Sequence, residues 1–398
     1  MKRILFVDDE TNVLDGIRRM LRGQRKRWDM EFAVGGEAAL QAFETGSFDV
    51  VITDMRMPGM DGATLLGHIR DRSPGTARVV LSGYAEGALS SRAIPVAHRF
   101  LTKPCSAAEL EDMIERVCAF QQILGAPELQ RIIGAIGELP SLSRTYASLT
   151  RAVADPKTSI SQVADIIEQD LAMSAKVLQL VNSAFYGLAQ NATSLRTAAG
   201  YLGMETIKNL ALVTETFRVL VPSASMSDSV CEKIQKHAYR TAAIVASLPL
   251  DPKIRDCAYV AALLHDVGRL ILASRMPKEF CSILALARER KCEFYEAEEE
   301  ILGTSHAEIG AYLLGLWGIP NNVVEAVAHH HHPTRIPHSG FDSSTAVYVA
   351  DLLAHQLENH EQDLDGSELR ESDRALLETL GILPRFSEFR ELAMHCRT

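Results

Sequence analysis

The chain opens with the stretch Ile4-Leu5-Phe6-Val7-Asp8-Asp9, in which four apolar residues run directly into two carboxylates. A short, wholly apolar run is typical of a parallel strand that is buried on both faces of its sheet. Helical spacing follows from Val13 to Leu21, and the same alternation of strand and helix then recurs. The predicted strands cover residues 4–7, 30–34, 48–53, 78–81 and 98–101. This pattern predicts an α/β domain with a doubly wound, five-stranded parallel sheet.

Polar side chains lie where these predicted strands end. They are the carboxylates Asp8, Asp9 and Asp54, the hydroxyl of Ser82 and the ammonium of Lys103. The carboxyl ends of parallel strands share one edge of a sheet, so we expect these side chains to meet there. Clustered carboxylates repel one another unless a cation lies between them, and an all-oxygen ligand set suits Mg²⁺. One carboxylate could then attack a phosphoryl group and form an aspartyl-phosphate.

The same region contains three motifs, which are Asp54-Met55-Arg56-Met57-Pro58-Gly59-Met60-Asp61-Gly62, Leu81-Ser82-Gly83-Tyr84 and Thr102-Lys103-Pro104. They are the basis for a resemblance of residues 3–120 to the receiver domain of response regulators, which has a flavodoxin-like fold. The resemblance implies that Asp54 accepts the phosphate and that Mg²⁺ is held by Asp8, Asp9, Asp54 and the Met55 carbonyl. It also implies that Ser82 and Lys103 contact the phosphoryl group, and that the Lys103-Pro104 bond is cis. Phe100 occupies the switch position that is often a tyrosine, so it lacks the hydroxyl.

From residue 128 onward the pattern is helical throughout, which predicts an all-α domain. Its most informative stretch is Leu263-Leu264-His265-Asp266-Val267-Gly268-Arg269, where an apolar run delivers an adjacent histidine and aspartate. Further candidates lie in or at the ends of apolar helical segments, namely His237, His306, the cluster His329–His332 and Asp351. Imidazole and carboxylate together suit Zn, Fe, Mn or Ni, and a helical bundle can turn such residues inward around a metal.

The order of these residues resembles the HD superfamily of metal-dependent phosphohydrolases. That resemblance implies one or two transition-metal ions held by His237, His265, Asp266, His306, His330, His331 and Asp351, with His329 as an alternative register. Two departures weigh against the HD-GYP enzymes: Arg269 replaces a lysine, and no Gly-Tyr-Pro follows the histidine cluster. The stretch Asn182-Ser183-Ala184-Phe185-Tyr186-Gly187 resembles instead the HDOD family over residues 130–335. HDOD domains are typically signalling output modules and often lose the metal ligands.

Each candidate ligand also has a structural interpretation. His237 could pack at a helix interface, and His306 could lie at the start of a helix behind a Thr-Ser cap. Asp351 is harder to explain in this way, because a carboxylate in an apolar helix is costly to bury without a metal or a cation. Arg269 could contact a substrate phosphate, although arginine and lysine are not interchangeable at such sites.

The predicted boundaries are a receiver at 1–122, a linker at 123–127, a helical output domain at 128–340 and a helical extension at 341–398 that completes it. Apolar periodicity continues from Glu109 to Leu124, beyond what the last receiver helix needs. This helix could pair with a second copy to form a homodimer, or simply cover the receiver core.

Charge and composition exclude several classes of protein. A net charge of −10 without a dominant Lys/Arg cluster argues against a nucleic-acid surface. Seven scattered cysteines without a CxxC pair favour reduced thiols. No apolar run approaches the ~18 residues of a membrane span, and the N-terminal apolar stretch is too short for a signal peptide. We therefore expect a cytoplasmic protein with no membrane or nucleic-acid partner.

The sequence thus predicts a two-component response regulator. A cognate histidine kinase would phosphorylate Asp54, and the HDOD domain would signal by binding other signalling proteins. The alternative is a metal-dependent phosphohydrolase, acting on a nucleotide or cyclic dinucleotide and gated by the receiver. A third possibility is a receiver that drains phosphate from a kinase while its helical domain serves as a scaffold.

Overall fold

A computed structural model of the chain describes residues 1–83, 93, 96–120, 126–136, 148–149, 152, 155, 157–182, 194–198, 200, 228–336, 340–361 and 369–396. Contacts divide the chain into two compact units. The first comprises Met1–Leu139, Gln179–Asn191 and Tyr312–Ile319, and the second comprises Pro140–Leu178, Ala192–Ala311 and Pro320–Thr398. The predicted helices near Glu86 and at 205–217 lie outside the described residues, and so do most of the predicted helix 141–153 and most of the Asn182–Gly187 motif.

The first unit is built on a five-stranded parallel sheet, as the sequence predicts. Its strands are β1 (Lys2–Asp8), β2 (Trp28–Val34), β3 (Val50–Asp54), β4 (Ala77–Gly83) and β5 (Arg99–Lys103), in the order β2-β1-β3-β4-β5. The described helices of this region are α1 (Thr11–Met20), α2 (Gly36–Thr45), α3 (Gly62–Arg72), α4 (Ala107–Phe120) and α5 (Pro127–Gly134), with a 3₁₀ turn at Arg22–Lys26. Apolar side chains of β1, β3 and β4 form the core with Leu66, Ile69 and Phe100.

The remainder of the chain is helical in the part that the structure describes, which confirms the predicted fold class. The helices are α6 (Ile160–Glu168), α7 (Leu171–Asn182), α8 (Asp228–Ser247), α9 (Pro252–Leu264), α10 (Val267–Arg275), α11 (Pro277–Arg290), α12 (Phe294–Leu302), α13 (His306–Leu316), α14 (Asn321–Ala328), α15 (Ser343–Glu361), α16 (Glu371–Thr379) and α17 (Phe386–Met394). Short 3₁₀ turns lie at Pro333–Arg335 and Leu383–Arg385.

Helices α9 and α10 are the apolar centre of the second unit. Periodicity predicts one helix over 254–273, whereas the structure ends α9 at Leu264 and begins α10 at Val267. The stretch Pro252–Arg275 is long and apolar enough to cross a membrane, but 83% of its most apolar window is buried inside the protein. A helix in the core of a protein can be equally long and apolar, so this stretch is only weak evidence for a membrane span.

Candidate functional site

Three strand ends bring the predicted phosphorylation residues together at one edge of the sheet. Asp8 ends β1, Asp54 ends β3 and Lys103 ends β5. The Lys103 ammonium donates a hydrogen bond to Asp8 Oδ2 at 2.7 Å and another to Asp54 Oδ1. Asp8 is 1% exposed, so its carboxylate depends on this cation and on the Glu10 backbone N–H, 2.9 Å from Oδ1. The arrangement is a pair of carboxylates, one buried and one partly exposed, bridged by one ammonium.

Burial and charge act in opposite directions on this pair. Burial raises the pKa of Asp54. Lys103 and the Arg56 backbone N–H, which lies 2.6 Å from Asp54 Oδ2, both lower this pKa, but burial outweighs them. For Lys103, burial lowers the pKa, but the hydrogen bonds to Asp54 and Asp8 outweigh burial and raise it. Lys103 is therefore a permanent cation at this edge, positioned to neutralise added negative charge.

The loop after Asp54 lies close to its backbone because residue 62 is glycine. A Cβ at Gly62 would lie 2.2 Å from the Asp54 carbonyl oxygen. The Gly62 N–H donates to the Met55 carbonyl at 3.0 Å, and Asp61 then caps α3 by accepting from Thr64 N at 2.8 Å. A carbonyl oxygen has two lone pairs, so Met55 can accept this bond and still offer a ligand to a cation.

The other predicted receiver residues occupy the positions that the motif implies. Asp9 is exposed directly after β1, and Phe100 is 3% exposed in the core. Ser82 lies near the end of β4, where it is paired in register with Thr102 of β5. The Lys103-Pro104 bond is cis, as predicted.

In the second unit, five parts of the chain deliver the predicted metal-binding residues to one place. The residues and their elements are His237 on α8, His265 and Asp266 between α9 and α10, His306 at the start of α13, His330 and His331 after α14, and Asp351 on α15. His331 is half-buried, and each of the others is at most 6% exposed. Such a concentration of buried ionisable groups is uncommon unless they share a function.

The ring nitrogens and carboxylates converge on one another. His237 Nε2 lies 2.8 Å from Asp351 Oδ1, and His265 Nε2 lies 3.6 Å from the same oxygen. His306 Nε2 lies 3.2 Å from Asp266 Oδ1 and 3.0 Å from His331 Nε2. Among the described residues, four groups have ligand atoms within 4.8 Å of one another: His306, His330 and His331; His237, His265 and Asp351; His265, Asp266 and His330; and His237, His355 and Glu358. His330 and His331, rather than His329, therefore occupy the predicted positions.

His265 and His330 each have one buried ring nitrogen that makes no hydrogen bond to a described residue. His265 Nδ1 lies 2.6 Å from the Ala262 carbonyl, and His330 Nδ1 lies 2.7 Å from the Val327 carbonyl. A carbonyl only accepts, so each Nδ1 carries a proton and the Nε2 of the neutral ring is a lone-pair donor. Among the residues that the structure describes, neither Nε2 has a hydrogen-bond partner. Buried, oriented imidazole donors beside carboxylates fit a transition metal.

The electrostatics divide the histidines into two kinds. Burial lowers the pKa of His237 and His306, but adjacent carboxylates outweigh burial and raise it to about 10 and about 9 respectively. Burial and the neighbouring imidazoles lower the pKa of His330 to about 3, and they lower that of His331 as well. Burial raises the pKa of Asp351, yet histidines outweigh it and hold that pKa well below its usual value.

Arg269 is paired with a predicted metal ligand. Its guanidinium donates to Asp266 Oδ2 at 2.9 Å and lies 4.8 Å from the ring centre of Phe294. Burial raises the pKa of Asp266, but Arg269 and the neighbouring histidines hold it well below its usual value. In this structure the guanidinium of Arg269 neutralises Asp266. Contact between Arg269 and a substrate phosphate therefore stays a prediction.

Three residues of this site were not predicted from the sequence. Glu298 is fully buried with Oε2 2.6 Å from His306 Nδ1, and Glu358 Oε1 lies 3.2 Å from His237 Nδ1. His355 stacks on the His237 ring with 4.3 Å between ring centroids. His355 and Glu358 follow Asp351 at helical intervals, a spacing that could have revealed them. Glu298 lies in the run Glu296–Glu300, which resembles a solvated helix face and gives no such signal.

Comparison with known proteins identifies two domains in the chain. The family model for the response regulator receiver domain matches residues 4–115, and the model for the HDOD domain matches residues 139–333. An uncharacterized protein of Treponema pallidum (strain Nichols) is 26% identical over 211 residues, which cover 52% of this chain and 40% of that protein. This chain therefore spans well under two thirds of that relative.

Two solved structures are among those similar to this chain. The signal receiver domain of an HD domain-containing protein from Pseudomonas fluorescens Pf-5 is 30% identical, with coverage of 30% of this chain and 97% of that chain and a TM-score of 0.29. The MmoQ response regulator from Methylococcus capsulatus str. Bath is 22% identical, with coverage of 64% and 98% and a TM-score of 0.47. Receiver relatives imply a phosphodonor. The chain belongs to the response regulators, as a signalling protein in which a receiver domain precedes an HDOD domain.

Proposed function

We propose that this chain is a phosphorylation-dependent response regulator of a two-component system in the cytoplasm. A cognate histidine kinase would phosphorylate Asp54, and the HDOD domain would pass the signal on by binding other signalling proteins. The observation that carries the proposal is the contact of Lys103 with both Asp8 and Asp54 at the carboxyl edge of the sheet.

The chemistry would combine the groups at that edge with a phosphohistidine donor and Mg²⁺. A carboxylate oxygen of Asp54 would attack the phosphorus of a phosphohistidine, the P–N bond would break, and the imidazole would leave with its electron pair and take up a proton. Mg²⁺, held by Asp8, Asp9, Asp54 and the Met55 carbonyl, would supply charge neutralisation for the phosphoryl oxygens. The phosphoryl group adds roughly −1.5 to −2 charges, and Lys103 is placed to pair with them.

Incubation of the full chain with a small-molecule phosphodonor and Mg²⁺ tests the proposal. The intact mass should increase by one phosphoryl group in the wild type and should not change in Asp54→Asn. Asp61→Asn is the matched control: Asp61 caps α3 nearby, and asparagine caps helices equally well, so this variant should still be phosphorylated. Phosphorylation of Asp54→Asn at the wild-type level would contradict the assignment.

A second candidate function is supported by a separate observation, the convergence of the predicted HD ligands into overlapping groups. A centre of one or two Fe, Mn, Zn or Ni ions would be held by His237, His265, Asp266, His306, His330, His331 and Asp351. Such ions would lower the pKa of a bound water and clamp phosphate oxygens, which is the chemistry of a phosphohydrolase. Asp266 lies between the groups, within 3.2 Å of His306 and 3.8 Å of His265.

Metal content of the purified chain, measured by plasma mass spectrometry, separates the two candidates. One or two transition-metal ions per chain in the wild type, lost in His265→Ala/Asp266→Ala, would support the metal centre. Hydrolysis of a nucleotide or cyclic dinucleotide, abolished by His265→Ala, would then favour an enzyme. Metal without hydrolysis would favour a metal-stabilised docking module, and absence of metal would contradict the centre itself.

A further inference from the structure

In four histidines of the candidate metal centre, the Nδ1 atom lies within hydrogen-bonding distance of an oxygen outside the predicted ligand set. His265 and His330 face backbone carbonyls, at 2.6 and 2.7 Å. His306 and His237 instead face carboxylates that are not among the predicted metal ligands. The second pair is chemically different, because a carboxylate makes the opposite ring nitrogen a stronger donor than a carbonyl does.

Glu298 is the more completely buried of the two carboxylates. It is 0% exposed, and its Oε2 accepts from the His306 backbone N–H at 2.8 Å and lies 2.6 Å from His306 Nδ1. Within the described part of the chain, its other oxygen has no hydrogen-bond partner. A buried carboxylate is costly unless it is compensated. The hydrogen bonds that compensate it here are with His306, and Arg269 also interacts with it electrostatically.

Glu358 makes the corresponding contact with Nδ1 of His237. It lies two helical turns after Asp351 on α15, and its Oε1 is 3.2 Å from His237 Nδ1. His237 Nε2 lies 2.8 Å from Asp351, so the ring is held between two carboxylates of the same helix. The Glu358 side chain is 25% exposed, and Arg240 approaches it at 3.9 Å.

We propose that Glu298 and Glu358 are positioning residues that act through His306 and His237, one in each of two adjacent metal positions. This inference rests on the metal centre proposed above. Each carboxylate accepts a hydrogen bond from the Nδ1–H of its histidine, fixes the rotation of the ring and makes Nε2 more basic. A carboxylate–histidine–metal arrangement of this kind typically contributes about 10–100-fold to metal affinity.

The two positions have different ligands and can be weakened separately. One consists of His306, His330 and His331, and the other of His237, His265 and Asp351; the group of His265, Asp266 and His330 lies between them. Of these predicted ligands, Glu298 is hydrogen-bonded to His306 of the first group, and Glu358 to His237 of the second. Each glutamate should therefore control the affinity of one ion.

Titration of the metal-stripped full chain with Co²⁺ tests the positioning role of the two glutamates. Competition with a chromophoric chelator measures the affinity for each ion, and the visible spectrum of Co²⁺ shows how it is coordinated. We expect two ions in the wild type. Glu298→Gln should weaken one ion by about 10–100-fold, and Glu358→Gln should weaken the other by a similar factor. The double variant should weaken both. Glu300→Gln, on the exposed face of α12 beside Glu298, is the matched control and should change neither.

Distinct results overturn distinct parts of the inference. Wild-type affinities in both variants, or weakening of the same ion by both, would overturn the positioning role while the metal centre stands. Loss of a whole ion in Glu358→Gln would make Glu358 a ligand instead. Failure of the wild type to bind Co²⁺ any better than His265→Ala would remove the metal centre, and the inference with it. Glu358 is partly exposed, so its variant keeps the test open if Glu298→Gln does not fold.

Discussion

At the scale of single residues, the receiver edge depends on one lysine between two carboxylates. The Lys103 ammonium lies 2.7 Å from Asp8, which is buried, and also contacts Asp54. Loss of one partner of a buried ion pair costs about 3–5 kcal/mol, and less where the pair is partly exposed. Lys103→Met should therefore lower the free energy of unfolding of the receiver by about 1–3 kcal/mol without Mg²⁺.

Mg²⁺ should restore much of that stability, because the added cation takes the place of the lost ammonium between the carboxylates. Urea denaturation with and without Mg²⁺ measures both effects. Lys26→Met, at an exposed lysine of the first 3₁₀ turn, is the control and should change little. Equal losses in the two variants would show that Lys103 has no special electrostatic role.

The two carboxylate-backed histidines predict how stability varies with pH in the metal-free chain. The pKa of His306 is about 9 and that of His237 about 10, against an ordinary 6.5. A raised pKa in the folded state means that the stabilising contribution is complete below about pH 6.5 and is lost as the pH rises through the folded value. Metal-free protein should therefore lose stability between pH 6.5 and 9.

The pH range from 6.5 to 9 distinguishes the contribution of His306 and His237 from that of His330. The pKa of His330 is about 3, so that ring is already neutral throughout the window. Denaturant unfolding of chelator-treated protein at the two pH values should show a larger loss in the wild type than in His306→Gln. A loss of the same size in both proteins would argue against a protonated His306.

At the scale of elements, the junction of α9 and α10 shows what periodicity cannot predict. Apolar residues continue at helical intervals through the junction, and the sequence therefore predicts one helix. The structure interrupts it at His265 and Asp266, so that both side chains enter the site. The interruption is stabilised by a tertiary contact: at Gly268, α10 approaches the start of α13 so closely that a Cβ would lie 2.0 Å from the His306 carbonyl oxygen.

Gly268→Ala should therefore separate Asp266 from His306. The new methyl group would meet backbone atoms, which cannot rotate away, so we expect a loss of about 1–3 kcal/mol in the free energy of unfolding. Metal affinity should fall as well, because Asp266 and His306 lie on the two elements that are forced apart. Thermal unfolding and Co²⁺ titration measure the two effects.

Gly67→Ala is the matched control for this substitution. Gly67 lies inside α3, and a Cβ there would meet nothing within 4 Å. Alanine in an open helical position should be neutral or stabilise the fold by about 0.4–1 kcal/mol. If Gly268→Ala behaves like Gly67→Ala, the close approach of α10 to α13 does not hold the site together.

Local patterns were sufficient to predict the sheet and the residues that meet at the two candidate sites, because each of these residues follows a short apolar strand or lies at a fixed place in a helical segment. The strand ends at Asp8, Asp54 and Lys103 are of this kind. The groups around the ligands were not predictable in the same way. Glu298 reaches His306 only because α12 and α13 fold against each other, and no periodicity within α12 distinguishes it from its exposed neighbours.

At the scale of the whole molecule, the first compact unit continues beyond the predicted receiver boundary at residue 122, as far as Leu139. Helix α5 belongs to this unit and buries Leu129 and Ile133. Arg78, fully buried in β4, donates from its guanidinium to the Val96 carbonyl at 2.6 Å and to the Gly134 carbonyl at 2.7 Å. Burial lowers the pKa of this arginine to about 9. The end of α5 therefore supplies an acceptor that a buried cation needs.

The packing of the end of α5 depends on the absence of a side chain at Gly134. A Cβ at Gly134 would lie 2.2 Å from the Pro74 carbonyl oxygen, so Gly134→Ala should displace the end of α5 and remove an acceptor from Arg78. An unpaired buried donor costs about 1–3 kcal/mol, and the receiver should lose stability by that order. Hydrogen exchange should also rise in α5 in the full chain. Gly75→Ala is the control, because its nearest neighbour would be Arg131 Cγ at 4.0 Å. Unchanged exchange in Gly134→Ala would mean that α5 is held independently of Arg78, and the receiver would then end before α5, as the sequence alone predicts.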